Sequence, residues 1–344
     1  MSEPAPSLVV EHCGPLTTVQ DGGRFGYQRF GVTPAGPMDP WAFRLANRLL
    51  DQSERKAGLE LGPGGLVLRV EAEHVRIALA GAERPVAVDG RPIPWWSAIG
   101  AVRGQRIEIG PARRGVWSYL AVRGGLAVGP VMGSCATHTL TRLGGLEGRP
   151  LRAGDRLPLA DPGAGPDLPD LAMAEPPVEA GGPIRIVLGP QEAWFSEAGI
   201  ATLLGAAWRV SPRSDRMGYR LEGPRIEHAR SPNIVSDGIV MGAIQVPGSG
   251  QPIVLMADRQ STGGYPKIAT VISADLGRLA QIPAGGTVRF RVVSFEEALE
   301  ARADARRSIE KARASLAPFV RGTRIDSAFL LSVNLVSGVT AGEP

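Results

Sequence analysis

Three glycine-rich segments of the chain contain the side chains best suited to chemistry on a small anionic molecule. In the first, residues 17–32, Asp21 and Arg24 stand among glycines. Glycine lets backbone N–H groups approach a ligand closely, and an Asp–Arg pair can grip or orient an anion. A second such pair, Asp215 and Arg216, also lies beside a glycine. The alternative for the first pair is structural: the carboxylate caps a turn and the guanidinium pairs with it.

The third segment, residues 245–267, is the richest in hydrogen-bonding groups. It contains Gln245, Gln251 and Gln260 around Pro–Gly and Gly–Gly turns and ends at Lys267. Amide and cationic donors in such turns can hold a carboxylate, a carbonyl or a developing oxyanion. Lys267 stands out because the chain has only three lysines, although the ordinary interpretation is a surface lysine after a turn.

From these segments we predict two groups of site residues. The candidate catalytic residues are Asp21, Arg24, Asp215, Arg216 and Lys267. The candidate substrate-binding residues are Tyr27, Gln245, Gln251, Gln260, Gly263, Gly264 and Tyr265. No metal site, catalytic triad or nucleotide-binding P-loop is predicted, because the four histidines are scattered, the two cysteines are isolated and no Gly-x-x-x-x-Gly-Lys motif occurs.

The charge of the chain favours a small partner molecule over a polymer. The net charge is only +4 and the positive excess is arginine, which suits bidentate capture of carboxylate or phosphate. No basic stripe alternates with aromatic residues, so nucleic acid is not an expected ligand. The sequence shows no secretory signal and no apolar run of the roughly 20 residues that span a bilayer, which predicts a cytoplasmic location away from membranes.

Short β-branched runs between glycines and prolines predict a mainly β fold with a few peripheral helices. The chain has 45 glycines and 30 prolines, and Asp89-Gly90 between two apolar triplets predicts a tight hairpin. Asp39 followed by Pro40 predicts the start of one helix. A second helix is expected from Gly189-Pro190 to about residue 205, and a third, solvent-exposed helix from a Ser294–Glu297 capping box to about residue 316.

A Pro- and Gly-rich stretch divides the chain into two β-rich subdomains. We predict an N-terminal subdomain over residues 1–160, a linker or exposed loop over 161–183, a C-terminal β-barrel over 184–295, and a surface helix with a tail over 296–344. Residues 24–27 (RFGY) are echoed by residues 216–219 (RMGY), which suggests two related barrel-like units packed side by side.

At these segments the chain resembles the biotin-dependent carboxyltransferase-like family. That family includes the C-type subunit of 5-oxoprolinase, the A/B half of the urea carboxylase carboxyltransferase domain, and the KipI antagonist KipA. The matching segments are residues 18–39 (TVQDGGRFGYQRFGVTPAGPMD), 46–47, 59–60, 122–125, 133–134, 144–155, 189–191, 214–221 (SDRMGYRL) and 236–275.

The resemblance implies a cyclophilin-like β-barrel architecture and a role in a complex. The implied partners are a KipI-like subunit of the B type and a LamB/YcsF-like subunit of the A type, with ATP used by the complex to open the lactam of 5-oxoproline to glutamate. The cations Arg24, Arg216 and Lys267 are then expected to face the substrate carboxylate or a phosphoryl group. The three glutamines of the third segment are expected to hold the amide.

Two alternatives within the family remain open. One is a KipA-like regulatory protein that antagonises a kinase inhibitor of the KipI type. The other is a carboxyltransferase that acts on urea or another amide with biotin carried on a second chain, since this chain has no biotin-attachment sequence.

Overall fold

The computed structural model describes residues 5–161, 168–174 and 181–321, and strands dominate it. The elements of the N-terminal half are β1 (Ser7–Cys13), β2 (Thr18–Gln20), α1 (Pro40–Leu49), β3 (Gly58–Leu61), β4 (Leu66–Val70), β5 (His74–Glu83), β6 (Val86–Val88), β7 (Arg91–Ile93), β8 (Ser97–Val102), β9 (Arg106–Ile109), β10 (Arg114–Val122), β11 (Arg156–Pro158) and β12 (Leu171–Met173), with a 3₁₀ turn at Gln28–Phe30.

The strands of the second half are shorter than the longest strands of the first half, with at most five residues each. Its elements are β13 (Ile184–Leu188), α2 (Glu197–Gly205), β14 (Trp208–Val210), β15 (Gly218–Glu222), β16 (Asp237–Gly238), β17 (Ala243–Gln245), β18 (Ile253–Leu255), β19 (Thr262–Gly263), β20 (Lys267–Val271), α3 (Leu276–Ala280), β21 (Thr287–Val288), β22 (Phe290–Val292), α4 (Phe295–Ala314) and β23 (Leu316–Pro318), with 3₁₀ turns at Glu192–Trp194 and Ser273–Asp275. The mainly β prediction is confirmed.

In the N-terminal half, two sheets pack face to face around one core. The strand orders are β11-β1-β4-β9-β6-β7 and β2-β3-β10-β5-β8-β12-β23. Side chains alternate between the faces of a strand, so Ile77 and Leu79 on β5 enter the core between the sheets. Ala78 and Ala80 point the other way, toward α1 and the C-terminal half. The second sheet is therefore buried on both faces.

The C-terminal half is built on one eight-stranded sheet that nearly closes into a barrel. Its order is β21-β14-β15-β18-β17-β20-β13-β22. The two edge strands β21 and β22 are separated in sequence by Arg289 alone, so the sheet must curl until its edges approach each other. Its apolar interior and the outer face of the N-terminal sheet belong to one continuous core that includes Trp117 and Trp208.

Local sequence signals position the first helix and the hairpin as predicted. The Asp39 carboxylate accepts hydrogen bonds from the Trp41 and Ala42 amides at 3.1 and 3.0 Å, which caps α1. Asp89 and Gly90 both have positive φ, 50° and 72°, as a two-residue hairpin turn requires. Both predictions are confirmed.

The second helix differs from its prediction. The chain first makes the 3₁₀ turn after Gly189-Pro190, and α2 begins only at Glu197, where the Ser196 hydroxyl accepts from the Gly199 amide at 3.0 Å. A serine cap further along the chain thus determines where the helix starts.

The third helix is a surface helix as predicted, whereas the Pro/Gly-rich stretch differs from its prediction. The Ser294–Glu297 capping box is present, and α4 is mostly exposed but buries Ala301, Ile309 and Ala312 on one face. Residues 171–173 of the expected linker form β12 between β8 and β23, because their backbone groups satisfy the open edge of the N-terminal sheet. The rest of that stretch, 162–167 and 175–180, lies outside the described residues, as does the tail from 322.

No helix among the described residues combines the length and the apolar character needed to cross a bilayer.

We predict that α4 stabilises the fold through its buried face. Ile309→Ala should lower the free energy of unfolding by about 2–4 kcal/mol, since it removes a buried branched side chain from the shared core. Leu299→Ala on the exposed face of α4 is the control and should change it by less than about 0.5 kcal/mol. Urea unfolding followed by circular dichroism measures both, and equal midpoints would show that α4 adds nothing to stability.

Candidate functional site

A groove of about 580 Å³ lies along β15 and β18 of the C-terminal half. Its wall includes five of the predicted site residues, which come from the second and third glycine-rich segments: Asp215, Gln245, Gln251, Gln260 and Tyr265. Strand pairing explains their approach, because β15 pairs with β18 and β18 pairs with β17. The structure thus brings together side chains that are up to 50 residues apart in sequence.

The three glutamines differ in how much of their amide remains available. The Gln251 side chain accepts from the Gly223 amide and donates to its carbonyl, both at 3.0 Å, so it ties two loops together. Gln245 is buried and donates to the Tyr265 carbonyl at 3.4 Å. Gln260 is exposed at the rim.

Gly263 positions Gln245 and does not line the groove. A Cβ at Gly263 would lie 2.5 Å from Nε2 of Gln245, so a larger residue would displace the amide. Gly264 directly follows β19, and its carbonyl accepts from the Ile234 amide at 2.9 Å. Neither glycine is among the residues that line the groove, so their predicted contact with a substrate stays a prediction.

Two arginines that the sequence prediction did not select supply the exposed positive charge of the groove. Arg213 and Arg220 both line it and are exposed, and neither has a carboxylate partner among the described residues. The nearby Glu222 carboxylate instead accepts from the Ser211 hydroxyl at 2.6 Å. The alternation of side chains along a strand is the sequence signal that identifies Arg220. On β15, Tyr219 and Leu221 point inward, so Arg220 must point outward.

Arg216, in contrast, lies in the protein interior and does not face the groove. Its guanidinium makes a two-pronged ion pair with Asp258 at 2.9 Å, hydrogen bonds with Glu60, and donates to the Gly36 carbonyl at 2.8 Å. Burial raises the pKa of Glu60, while Arg216, the Met38 amide and the Tyr119 hydroxyl oppose that shift. Arg216 thus ties the two halves together, and its guanidinium does not reach the groove.

Arg24 is likewise an internal residue. It donates to the carbonyls of Val131, Ser134 and Ala136 at 2.9, 3.2 and 3.0 Å. Desolvation lowers the pKa of Arg24. Its guanidinium holds the loop after residue 130 against the first glycine-rich segment, and Arg24 is not among the residues that line the groove.

Asp21 caps its turn, as the structural alternative proposed. Its carboxylate accepts from the Gly23 amide at 2.8 Å, the Ser134 hydroxyl at 2.6 Å and the Cys135 amide at 2.7 Å. Asp215 makes a similar turn, accepting from the Met217 amide at 2.8 Å. The two Asp–Arg pairs thus serve first to hold loops, and of the four side chains Asp215 alone reaches the groove.

Lys267 and Tyr27 lie outside the lining of the groove. The buried Lys267 ammonium pairs with the half-exposed Asp237 carboxylate at 2.7 Å, and this hydrogen bond lowers the pKa of Asp237. Gln191 contacts both, since its amide accepts from the Lys267 N–H and donates to Asp237. Tyr27 is half-buried at the start of the 3₁₀ turn, where its carbonyl accepts from the Phe30 amide at 2.9 Å.

The groove is suited to binding and orienting a small molecule. Its two carboxylates, Asp215 and Glu222, already accept hydrogen bonds from the protein itself. The described residues that line it include no cysteine, histidine or lysine. Two guanidinium groups that have no carboxylate partner in the described part of the chain lie beside side-chain amides, and together they fit a small molecule that carries a carboxylate or phosphoryl group and an amide.

Comparison with known proteins places this architecture among carboxyltransferase domains. Residues 30–292 match the family described as carboxyltransferase domain, subdomain A and B. The chain is 40% identical to the C-type subunit of 5-oxoprolinase from Escherichia coli K12 over 306 residues, which cover 88% of this chain and 97% of that protein. It is 37% identical to the protein of the same name from Haemophilus influenzae over 285 residues, 83% of this chain and 91% of the other.

A solved structure is similar to the whole arrangement of the two halves. The crystal structure of the Kluyveromyces lactis urea carboxylase superposes with a TM-score of 0.82 at 30% identity. The match covers 93% of this chain but 30% of that chain, so that chain extends well beyond the matched unit.

We predict that loss of Arg216 destabilises the protein most at neutral and alkaline pH. Arg216→Met leaves Glu60 and Asp258 buried without their cation, which should lower the free energy of unfolding by about 3–5 kcal/mol near pH 7. The same change raises the pKa of Glu60 further. A carboxyl whose pKa is higher in the folded than in the unfolded state destabilises folding as the pH rises above its ordinary value, which is 4.5 for Glu.

The deficit of Arg216→Met should therefore widen between about pH 5 and pH 8 in denaturant titrations. Arg291→Met, an exposed arginine on β22, is the matched control and should show no such trend. A deficit that does not depend on pH would contradict the buried ion-pair explanation.

Proposed function

The chain belongs to the carboxyltransferase-domain family of subdomains A and B, and on this basis we propose that it is the C-type subunit of a bacterial 5-oxoprolinase. In the proposed reaction, water cleaves the lactam C–N bond of 5-oxoproline and glutamate is released, while ATP is hydrolysed to ADP and phosphate. A lactam is a poor electrophile, so activation of its oxygen, for example by phosphorylation, supplies the driving force for opening the ring.

One observation carries the proposal on the structural side. The groove presents two unpaired arginines next to glutamine amides, in a chain that is 40% identical to a C-type 5-oxoprolinase subunit over nearly the whole of that protein. 5-Oxoproline is a small molecule with one carboxylate and one cyclic amide. In this proposal Arg213 and Arg220 bind the carboxylate or a phosphoryl group, and Gln245 and Gln260 bind the amide.

The side chains that line the groove also favour a protein that acts together with partner subunits. Asp215 and Glu222 accept internal hydrogen bonds, the Ser211 hydroxyl donates to Glu222, and the described lining contains no cysteine, histidine or lysine. We therefore propose that the other subunits, of the A and B types, supply the rest of the reaction and that the isolated chain is inactive. Lys267 in this proposal holds the β16–β19 ribbon through Asp237 and contacts no substrate.

A carboxyltransferase acting on urea is the second candidate, because the urea carboxylase structure shares the fold at a TM-score of 0.82. That activity requires biotin carried on another chain. Urea-dependent ATP turnover in the presence of bicarbonate, a biotin carboxylase and a biotinylated carrier protein, and none with 5-oxoproline, would favour it.

The first test measures ATP-dependent glutamate release from 5-oxoproline by the chain with and without the A- and B-type subunits encoded in the same organism. We expect release from the complete mixture and none from this chain alone. A complete mixture that assembles without releasing glutamate would reject the enzyme proposal and favour the regulatory alternative.

The second test addresses the groove directly. Arg213→Met and Arg220→Met should each lower kcat/KM for 5-oxoproline by about 10- to 100-fold in the complete mixture, since each removes a charge-assisted hydrogen bond. Arg291→Met, which lies outside the groove, is the control and should retain wild-type kinetics. Unchanged kcat/KM in both groove variants, with 5-oxoprolinase activity intact, would move the substrate site elsewhere.

A further inference from the structure

Large apolar side chains are exposed on three neighbouring loops of the protein. The loops cover residues 23–31, 131–141 and 234–240, and their exposed residues define what we name the apolar loop surface: Phe25, Phe30, Met132, Leu140, Val235 and Val240. A soluble protein rarely exposes so many large apolar residues in one region, and where it does the region commonly binds another protein.

Direct hydrogen bonds hold these loops together. The Gln28 side chain donates to the carbonyls of Ile239 and Ser261, both at 2.9 Å, which joins the first loop to the third. The buried Arg24 guanidinium joins the first loop to the second through the Val131 carbonyl at 2.9 Å. The surface is therefore preorganised, which reduces the entropy that a partner must overcome to bind it.

The free charge around the apolar loop surface is positive. Arg29, Arg55 and Arg142 are exposed, and none of the three makes an ion pair with a carboxylate in the described part of the chain. Two of them lie over exposed rings, Arg29 at 4.7 Å from the centre of Phe30 and Arg55 at 5.9 Å from that of Phe25. The carboxylate of the third loop, Asp237, is already paired with Lys267.

We propose that the apolar loop surface docks a different protein subunit, one that presents an apolar face rimmed by aspartates and glutamates. The inference rests on the proposed function, which requires partner subunits, and it names the face that receives one of them. A second copy of this chain is the poorer occupant, because a two-fold contact through this surface would bring arginines of the same kind together.

The first experiment compares two phenylalanines with equal exposure. Phe30 and Phe295 are each 64% exposed, but Phe30 lies on the apolar loop surface and Phe295 lies at the start of α4. Phe30→Asp should raise the Kd for the B-type or the A-type partner at least about tenfold, since a buried aromatic anchor commonly contributes more than about 1.4 kcal/mol to binding. Phe295→Asp should leave the Kd unchanged. Calorimetry with the purified subunits measures both.

Two further variants test whether weaker binding could be due to misfolding and whether the positive charge around the apolar loop surface contributes to binding. Val235→Asp, at a residue that is 92% exposed, should weaken binding in the same way without loss of thermal stability. Arg142→Glu should weaken binding more at low salt than at high salt, because it reverses a steering charge.

The outcomes separate this inference from the proposed function. Wild-type binding and activity with an unchanged Kd for Phe30→Asp and Val235→Asp would overturn the docking surface and leave the enzyme proposal standing. A wild-type chain that binds neither partner would reject both. Self-association of the wild type that Phe30→Asp abolishes would replace the different subunit by a second copy.

Discussion

The buried guanidinium of Arg216 joins the two halves of the protein at the centre of the structure. It joins Glu60 of the N-terminal sheet to Asp258 of the barrel half and also binds the carbonyl of Gly36. A charge that is removed from water is tolerated only with a full set of partners, so the three segments must meet in one arrangement. Because residues 215–218 and 258–260 lead directly into the groove, the same ion pairs determine the position of its walls.

In this arrangement the two β-rich halves share one apolar core. The N-terminal sheet buries both faces, one against its partner sheet and one against α1 and the barrel. Helix α4 packs on α1, and β23 returns to pair with β12 in the N-terminal sheet. The chain thus crosses between the halves more than once, and the groove and the exposed loops are positioned by a scaffold with little freedom to shift. Such a scaffold suits binding surfaces, whose geometry must exist before the partner arrives.

The buried and the exposed arginines have different tasks, although the sequence presents them alike. Arg24 and Arg216 donate to backbone carbonyls and to carboxylates inside the protein. There the cation stabilises loops by binding their negatively polarised or charged oxygens. Arg213 and Arg220 have no such partners among the described residues and remain available to an anion in the groove. The chemistry of a guanidinium is the same in both settings, so burial and the supply of acceptors decide which arginine is free to bind a ligand.

Features that depend on neighbouring residues could be predicted from the amino-acid order: the mainly β class, the Asp39 cap, the Asp89-Gly90 hairpin and the Ser294–Glu297 capping box. The same patterns also selected the segments that supply the groove. Which side chains of those segments face it became clear only from the folded chain. Strand pairing brings Gln245, Gln260 and Asp215 together across long separations, and packing encloses Arg24 and Arg216. Neither effect is visible to a local pattern, since burial depends on what folds over a residue from elsewhere in the chain.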